Sequence, residues 1–359
     1  MDTIIKTFAP IAIKEVTAYL SKRGTSPSTE LAKAAYEGNA SVVKSILSQD
    51  HQIDMAPALV AASSAGKMEI LDILIDPPRR PRSESSRHKD EIKKTDVNVW
   101  SQHITPLIAA VQTHHVKTTD LLLEAGADTS MTLKGGETVL HIAARIGDLE
   151  MVKLLVEYEA YLEARDGWGN TPLLSASRWG HPHTIKYLLE KGADIEARDM
   201  KGSTALLLAC RHDCVEAVKV LIHSDANVRV KDKKGRGPLH RAIAGVDFID
   251  GVGAKVKEDM VRLLINSGAD PKARDKEGKR PADMAGFLRG GNGVRRLLSP
   301  GSAPHSTERT TGNSKHGSRT GSPYGDKSRH SHEPSHHNSR KDQHLSPLAG
   351  DTMAGYDRD

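Results

Sequence analysis

One period constrains this chain more than any other feature. Thr138 to Ala144 reads TVLHIAA, Thr171 to Ser177 reads TPLLSAS, Thr204 to Cys210 reads TALLLAC and Gly237 to Ile243 reads GPLHRAI, each 33 residues after the last. One step upstream Thr105 to Val111 reads TPLIAAV, so five consecutive copies share the period. A second motif keeps phase with the first: GAD from Gly126, EAY from Glu159, GAD from Gly192, DAN from Asp225 and GAD from Gly268, the last interval being ten residues longer. Length alone would allow two ordinary domains, but a fixed period of this size marks a stacked array.

Each copy contains the signals of two short helices. Thr171 followed by Pro172 suits a helix start, because the hydroxyl caps free backbone N–H groups and proline occupies the first turn, where no donor is missed. Leu173 and Ala176 then lie on one face. In the preceding copy Gly147 ends the first helix, and Met151, Val152, Leu154 and Leu155 form the apolar stripe of the second. The chain returns through a polar finger such as ARDGWGN, Ala164 to Asn170. One such hairpin cannot bury its own apolar face, so neighbours must stack. With 37% hydrophobic but only 4% aromatic residues, the layers are thin and built from Ala and Leu.

TPLHxAA, followed about twenty positions later by an apolar LL and GAD, resembles the ankyrin repeat family. The resemblance implies an all-α solenoid of about eight helix-turn-helix repeats with β-turn fingers over residues 28–298. Thr29 to Ala35 and Ala56 to Ala62 read as degenerate upstream copies, and Arg280 to Gly286 with Val294 to Leu298 as a shortened terminal one. Residues 1–27 are expected to form a helical cap, with Ile13, Val16 and Leu20 covering the exposed end of the first repeat. Val246 to Lys257 (246–257) reads as a loop inserted between the two helices of one repeat. Asp76 to Thr95 (76–95), with seven basic and four acidic residues, reads as a disordered surface loop. The tail, residues 299–359, has no Ile, Val, Phe or Trp and is about half Ser, Gly, Pro and His. It has nothing to bury and is expected to be disordered.

Composition narrows the functional classes. The formal charge of +5 arises from 51 basic and 46 acidic residues, a small excess that weakly favours acidic partners. Cys210 and Cys214 are too few for a disulfide framework and read as reduced thiols of an intracellular protein, cytoplasmic or nuclear. Lys6 and Lys14 interrupt the N-terminal apolar clusters, and Asp2 and Glu15 disfavour a mitochondrial presequence. No stretch reaches the roughly 18 apolar residues of a bilayer span, so no membrane insertion is expected. A monomer is expected.

Candidate chemistry yields to structural readings. His141 and His240 recur with the motif, which points to hydrogen bonding between repeats rather than to catalysis. Cys210, His212 and Cys214 offer three zinc ligands without the second cluster a structural zinc site requires. Gly251 to Lys257, GVGAKVK, lacks the GxxxxGK[ST] pattern of a phosphate loop. The tail histidines from His305 to His344 suit weak metal chelation or simple low-complexity drift. Ser299, Ser322 and Ser346 precede proline and suit proline-directed kinases. The Arg-rich loop from Arg79 to Lys94 suits an import signal or a plain solvated loop. No catalytic residue, metal or cofactor is assigned.

The family resemblance implies a non-enzymatic scaffold whose fingers and first helices form a concave face that binds a protein partner. In such repeats the finger residues, and the pair between AA and the following Gly, point to that face. On this chain they are Trp168, Arg178 and Trp179 at the centre, with Arg145 and Ile146 before and Met200, Lys201, Arg211 and His212 after. Trp and Arg are enriched among binding hot spots. One rival is a substrate-recruiting or regulatory subunit of a larger enzyme complex. Another is nucleic-acid binding through Arg229, Lys231, Lys233, Lys234 and Arg236 on one finger and Lys272, Arg274, Lys276, Lys279 and Arg280 on the next. Interleaved acids and the lack of aromatic stacking positions disfavour it. Limited proteolysis should remove the tail first and cut within residues 76–95 next. Rapid digestion within residues 134–233 would contradict the array.

Overall fold

Helix pairs form where the repeat motif places a cap, a short apolar run and a left-handed stop. The computed structural model describes residues 16–17, 19–20, 26–49, 53–77, 95–244, 251–285 and 292–299, with side chains omitted at 251–254. Eight pairs are present among them. They are α1 (Pro27–Glu37) with α2 (Ala40–Gln49), α3 (Ala56–Ser64) with α4 (Met68–Ile75), and α5 (Pro106–Gln112) with α6 (Val116–Glu124). Next come α7 (Val139–Ile146) with α8 (Leu149–Glu157), α9 (Pro172–Trp179) with α10 (Pro182–Glu190), and α11 (Ala205–Arg211) with α12 (Val215–His223). The last are α13 (Pro238–Ile243) with α14 (Gly251–Asn266) and α15 (Pro281–Met284) with α16 (Asn292–Leu298). The expected caps are in place: Thr138 and Thr171 accept from the backbone N–H of His141 and Leu174. Gly147 and Gly180 close α7 and α9 in the left-handed region.

First helices pack on first helices and second helices on second helices, in two rows. The first row is lined with small side chains: Ala143, Ala144, Ala176, Ser177, Ala209 and Cys210 are fully buried. Leucines and other aliphatics from the second row, including Leu155, Leu188 and Leu221, close the space between rows. No strand occurs among the described residues; the finger bases carry only isolated bridges, Ser101 with Ile104 and Thr132 with Thr138.

Hydrogen bonds repeat with the same period and hold one finger to the next. Asp166 Oδ1 accepts the N–H groups of Trp168 and Asn170 at 2.9 and 2.7 Å. Asp199, Asp232 and Asp275 make the same pair of bonds within their own fingers. From finger to finger, the N–H of Gly167 donates to Gly135 O, Met200 to Trp168 O, Lys233 to Lys201 O and Lys276 to Lys234 O, at 2.7 to 3.0 Å. This close approach explains Gly136, at φ +78°: a Cβ there would lie 2.9 Å from the Gly167 nitrogen. Arg165 donates through one nitrogen to Gly169 O and Arg198 O, and Arg198 likewise to Gly202 O and Lys231 O.

Two expectations are corrected. Residues 16, 17, 19 and 20 are helical, but Val16, Tyr19 and Leu20 surround a small cavity with Pro57, Val60 and Ala61 of α3 and with Ser101, Gln102 and Ile104. They therefore sit against the second repeat and the following turn, rather than over the free end of the first. All nine residues of α3, APALVAASS, are buried. Ile13 lies outside the described residues. The insertion also differs from a loop, because α14 begins at Gly251 and incorporates 251–257. Lys257 anchors that extension: its ammonium is 3.4 Å from Asp213 Oδ2, and both side chains are buried. It also donates to Ala242 O. The basic segment 78–94, residues 245–250 and the tail from Pro300 lie outside the described residues, with the tail histidines, Ser322 and Ser346. At the base of the basic segment Thr95 N–H donates to Ile75 O, joining its two ends.

Leu155 is fully buried between the rows. Leu155→Ala should destabilise the array by about 2–5 kcal/mol through lost transfer energy and a cavity. The loss should extend to neighbouring pairs. A chemical-denaturation midpoint close to that of the unaltered chain would show that the leucine does not hold the rows together.

Candidate functional site

The fingers and the ends of the first helices place the nine candidate residues on three successive repeats. Arg145 and Ile146 end α7, Arg178 and Trp179 end α9, and Arg211 ends α11 with His212 as its cap. Trp168 occupies one finger, and Met200 and Lys201 the next. The finger residues are the exposed ones: Trp168 is 44% and Met200 62% accessible, and Lys201 is also exposed. The helix-end residues are half-buried.

Local geometry explains the difference. A methyl group on Gly135 would lie 3.7 Å from Cη2 and Cζ3 of Trp168, so the indole rests beside the preceding finger with part of its surface open. Met200 similarly lies beside Gly169, whose Cβ would be 3.3 Å from the Met200 Cγ. At Gly169 the approach is close enough that a side chain would crowd Met200. Among the helix-end residues, Ile146 packs against the core. Arg145 places its Nε 3.3 Å from Glu137 Oε1, with both side chains largely buried. Ile146 thus contributes to packing and Arg145 to an ion pair within the repeat.

The sequence reading did not single out Glu137, Tyr161 or Trp100. Glu137 holds Arg145, and no periodic signal marks it because Asn170, Ser203 and Arg236 occupy the equivalent positions. Tyr161 is 70% exposed where other copies carry Asp or Asn, a departure visible in EAY. Trp100 is also exposed, just ahead of the finger that leads into α5.

Three histidines and two thiols near the helix ends are shifted toward their neutral forms. His141 accepts the N–H of Thr138 at Nδ1 (3.2 Å), so its Nε2–H donates across the repeat boundary to Asn170 O at 2.9 Å. His240 makes the same pair of bonds to Gly237 and Lys279. His181 Nε2–H donates to Arg145 O at 2.9 Å, tying the turn after α9 to the end of α7. Burial holds His141, His181 and His240 below the usual histidine range, outweighing the opposing pull of their carbonyl partners. Burial also raises both thiols, Cys214 to about 11 and fully buried Cys210 further still, with Asp213 adding to the effect. Neither thiol is poised as a nucleophile. Among the described residues no group of three or more His, Cys, Asp or Glu side chains is arranged to hold a metal ion. No helix among them is long and apolar enough to cross a membrane.

A family model described as ankyrin repeats matches the chain in three copies, over residues 31–132, 125–199 and 196–275. No curated protein matches the chain.

The histidines set a pH dependence. Their native pKa values lie below the ordinary 6.5, so the unfolded chain takes up protons first as pH falls. Stability is therefore full above that value and declines as pH drops through it. Asp148, held below its usual 3.8 mainly by its bond from His114 against the opposing effect of burial, keeps its own contribution until the solution is more acidic. Thermal melts from about pH 7 to about pH 5 should show a falling midpoint, with a shallower slope for His141→Gln. A flat or rising profile would contradict the neutral, bridging histidines.

Proposed function

Because the chain belongs to the ankyrin repeat family, whose repeats generally serve as protein–protein interaction modules, we propose that it is a non-enzymatic scaffold or adaptor. The partner is a protein, bound on the face made by the fingers and the ends of the first helices. Its centre is the finger carrying Trp168 together with Arg178 and Trp179. Arg145 and Ile146 flank this centre on one side, and Met200, Lys201, Arg211 and His212 on the other.

The observation that carries this reading is the exposure of Trp168 and Met200 on adjacent fingers whose backbones are hydrogen-bonded to each other, Met200 N–H to Trp168 O at 2.9 Å. A large apolar side chain on an already ordered backbone loses little further entropy when a partner covers it. An exposed indole in such a place has the character of an interface hot spot. Half-buried Arg178 and Trp179 complete the centre of the proposed face.

Affinity capture with the full chain as bait, repeated with the Trp168→Ala and Trp179→Ala double variant, tests the assignment. The variant's melt should stay within a few degrees of the unaltered chain, while capture weakens by more than about 2 kcal/mol. Capture that is unchanged, or a melt that collapses, would remove the assignment.

A further inference from the structure

We propose that this protein has an anion site at the boundary between its sixth and seventh repeats, built to take the phosphomonoester group of an organic ligand. A cavity of about 390 Å3 lies there between residues 228–231, the start of α13 and residues 269–274. Four basic residues, Arg229, Lys231, Lys272 and Arg274, line it with one acid, Asp270.

The cavity lies at a step where a bond that recurs between several repeats is not made. In three earlier steps the backbone N–H of the Asp or Asn that follows the second helix donates to a side chain of the preceding repeat. Asp128 donates to Asn98 Oδ1 at 2.7 Å, Asp194 to Glu163 Oε1 at 2.8 Å, and Asn227 to Glu196 Oε1 at 2.8 Å. The next N–H in the series belongs to Asp270, and the side chain in the accepting position is Arg229. A guanidinium carries only donors, so it cannot accept that bond. Arg229 instead directs its Nε toward Gly268 O, at 3.5 Å. The substitution of a base for an acid removes the acceptor from the Asp270 N–H and brings a cation to the same spot.

The surrounding charges are distributed in the same sense. Several basic residues nearby have carboxylate partners: Arg241 with Asp232, Arg236 with Asp275 and Glu277, Lys279 with Glu277, and Arg280 with Asp283. Among the described residues no carboxylate is ion-paired with Arg229, Lys231, Lys272 or Arg274. Three of the four instead face neutral carbonyls, Arg229 toward Gly268 O, Lys231 donating to Arg274 O and Arg274 to Gly278 O. Asp270 turns its Oδ1 to the Lys272 N–H. Four cations against one carboxylate leave an excess that a single carboxylate ligand cannot balance. A phosphomonoester, with about two negative charges and three acceptor oxygens, offsets more of that excess and can accept the open N–H. Val230, Leu239 and Ala273 give the cavity an apolar wall, and its volume exceeds that of a phosphate alone, so the ligand carries an organic group.

The phosphate can come from a modified side chain of a peptide or from a free small molecule, and the test separates the two. The full chain is titrated calorimetrically with phenyl phosphate, a phosphoserine hexapeptide and benzoate. Saturable binding of a phosphorylated probe, with benzoate much weaker, is expected; the tighter of the two probes identifies the source. Arg229→Glu restores the acid that the two preceding repeats carry, so it should melt at or above the unaltered chain in phosphate-free buffer. The same variant should bind the preferred probe at least about tenfold more weakly. Lys231→Met, which keeps the aliphatic stem, provides a second variant with the same expected loss. No saturable binding of either phosphorylated probe, equal binding of benzoate, or binding unaffected by both variants would overturn the proposal. None of these outcomes depends on the protein partner assigned to the Trp168 finger.

Discussion

Burial between neighbouring repeats is the constraint on which the rest of the structure depends. A pair such as α9 and α10 has no partner within itself for Leu174, Ala176 or Ile185, all of which are fully buried only because α7, α8, α11 and α12 flank them. The first row tolerates only small side chains at its closest points, which is why Ala144, Ser177 and Cys210 occupy one repeated position. A larger residue there would force the rows apart. Cys210 therefore acts as a small buried side chain, and the zinc pattern that CRHDC evokes has a packing explanation.

Close stacking brings backbone polar groups together in partly dry surroundings, where each needs a partner. The repeat meets this requirement with a small set of side chains used again and again. Asp166, Asp199, Asp232 and Asp275 close their own fingers. His141 and His240 bridge to the next repeat's carbonyl, and their neutral state follows from burial. The buried pairs Asp232 with Arg241 and Asp213 with Lys257 belong to the same bookkeeping of polar groups, and the second holds the lengthened α14 to the preceding repeat. Losing one member of either pair would strand a buried charge.

A frame held by backbone bonds leaves other positions free to vary. The position of Trp168 holds Lys201, Lys234 and Glu277 in later repeats without disturbing the finger ladder. The position of Glu163 and Glu196 becomes Arg229 and then Lys272. Binding chemistry can thus differ from repeat to repeat while the fold stays the same. Apolar exposure characterises the fifth repeat's finger, and positive charge characterises the boundary that follows α12.

The helix pairs of the central repeats, their caps and the fingers are legible in the chain alone, because TPLH, Gly and GAD set each of them within one repeat or between neighbours at a constant offset. The sequence also marked Trp168 and Met200 as finger residues, since their offset from Thr171 and Thr204 is local. What it could not determine were contacts that fall outside the period. Nothing periodic relates Val16 and Leu20 to α3 and Ile104, so their docking site emerges only in the packed structure. Lys257 reads as part of an insertion until folding places it beside Asp213. Half-burial of Ile146 and pairing of Arg145 with Glu137 likewise depend on the shape of adjacent repeats rather than on the motif. Periodicity encodes which neighbour a residue meets; the depth and charge of the space between those neighbours arise only when their side chains are packed together.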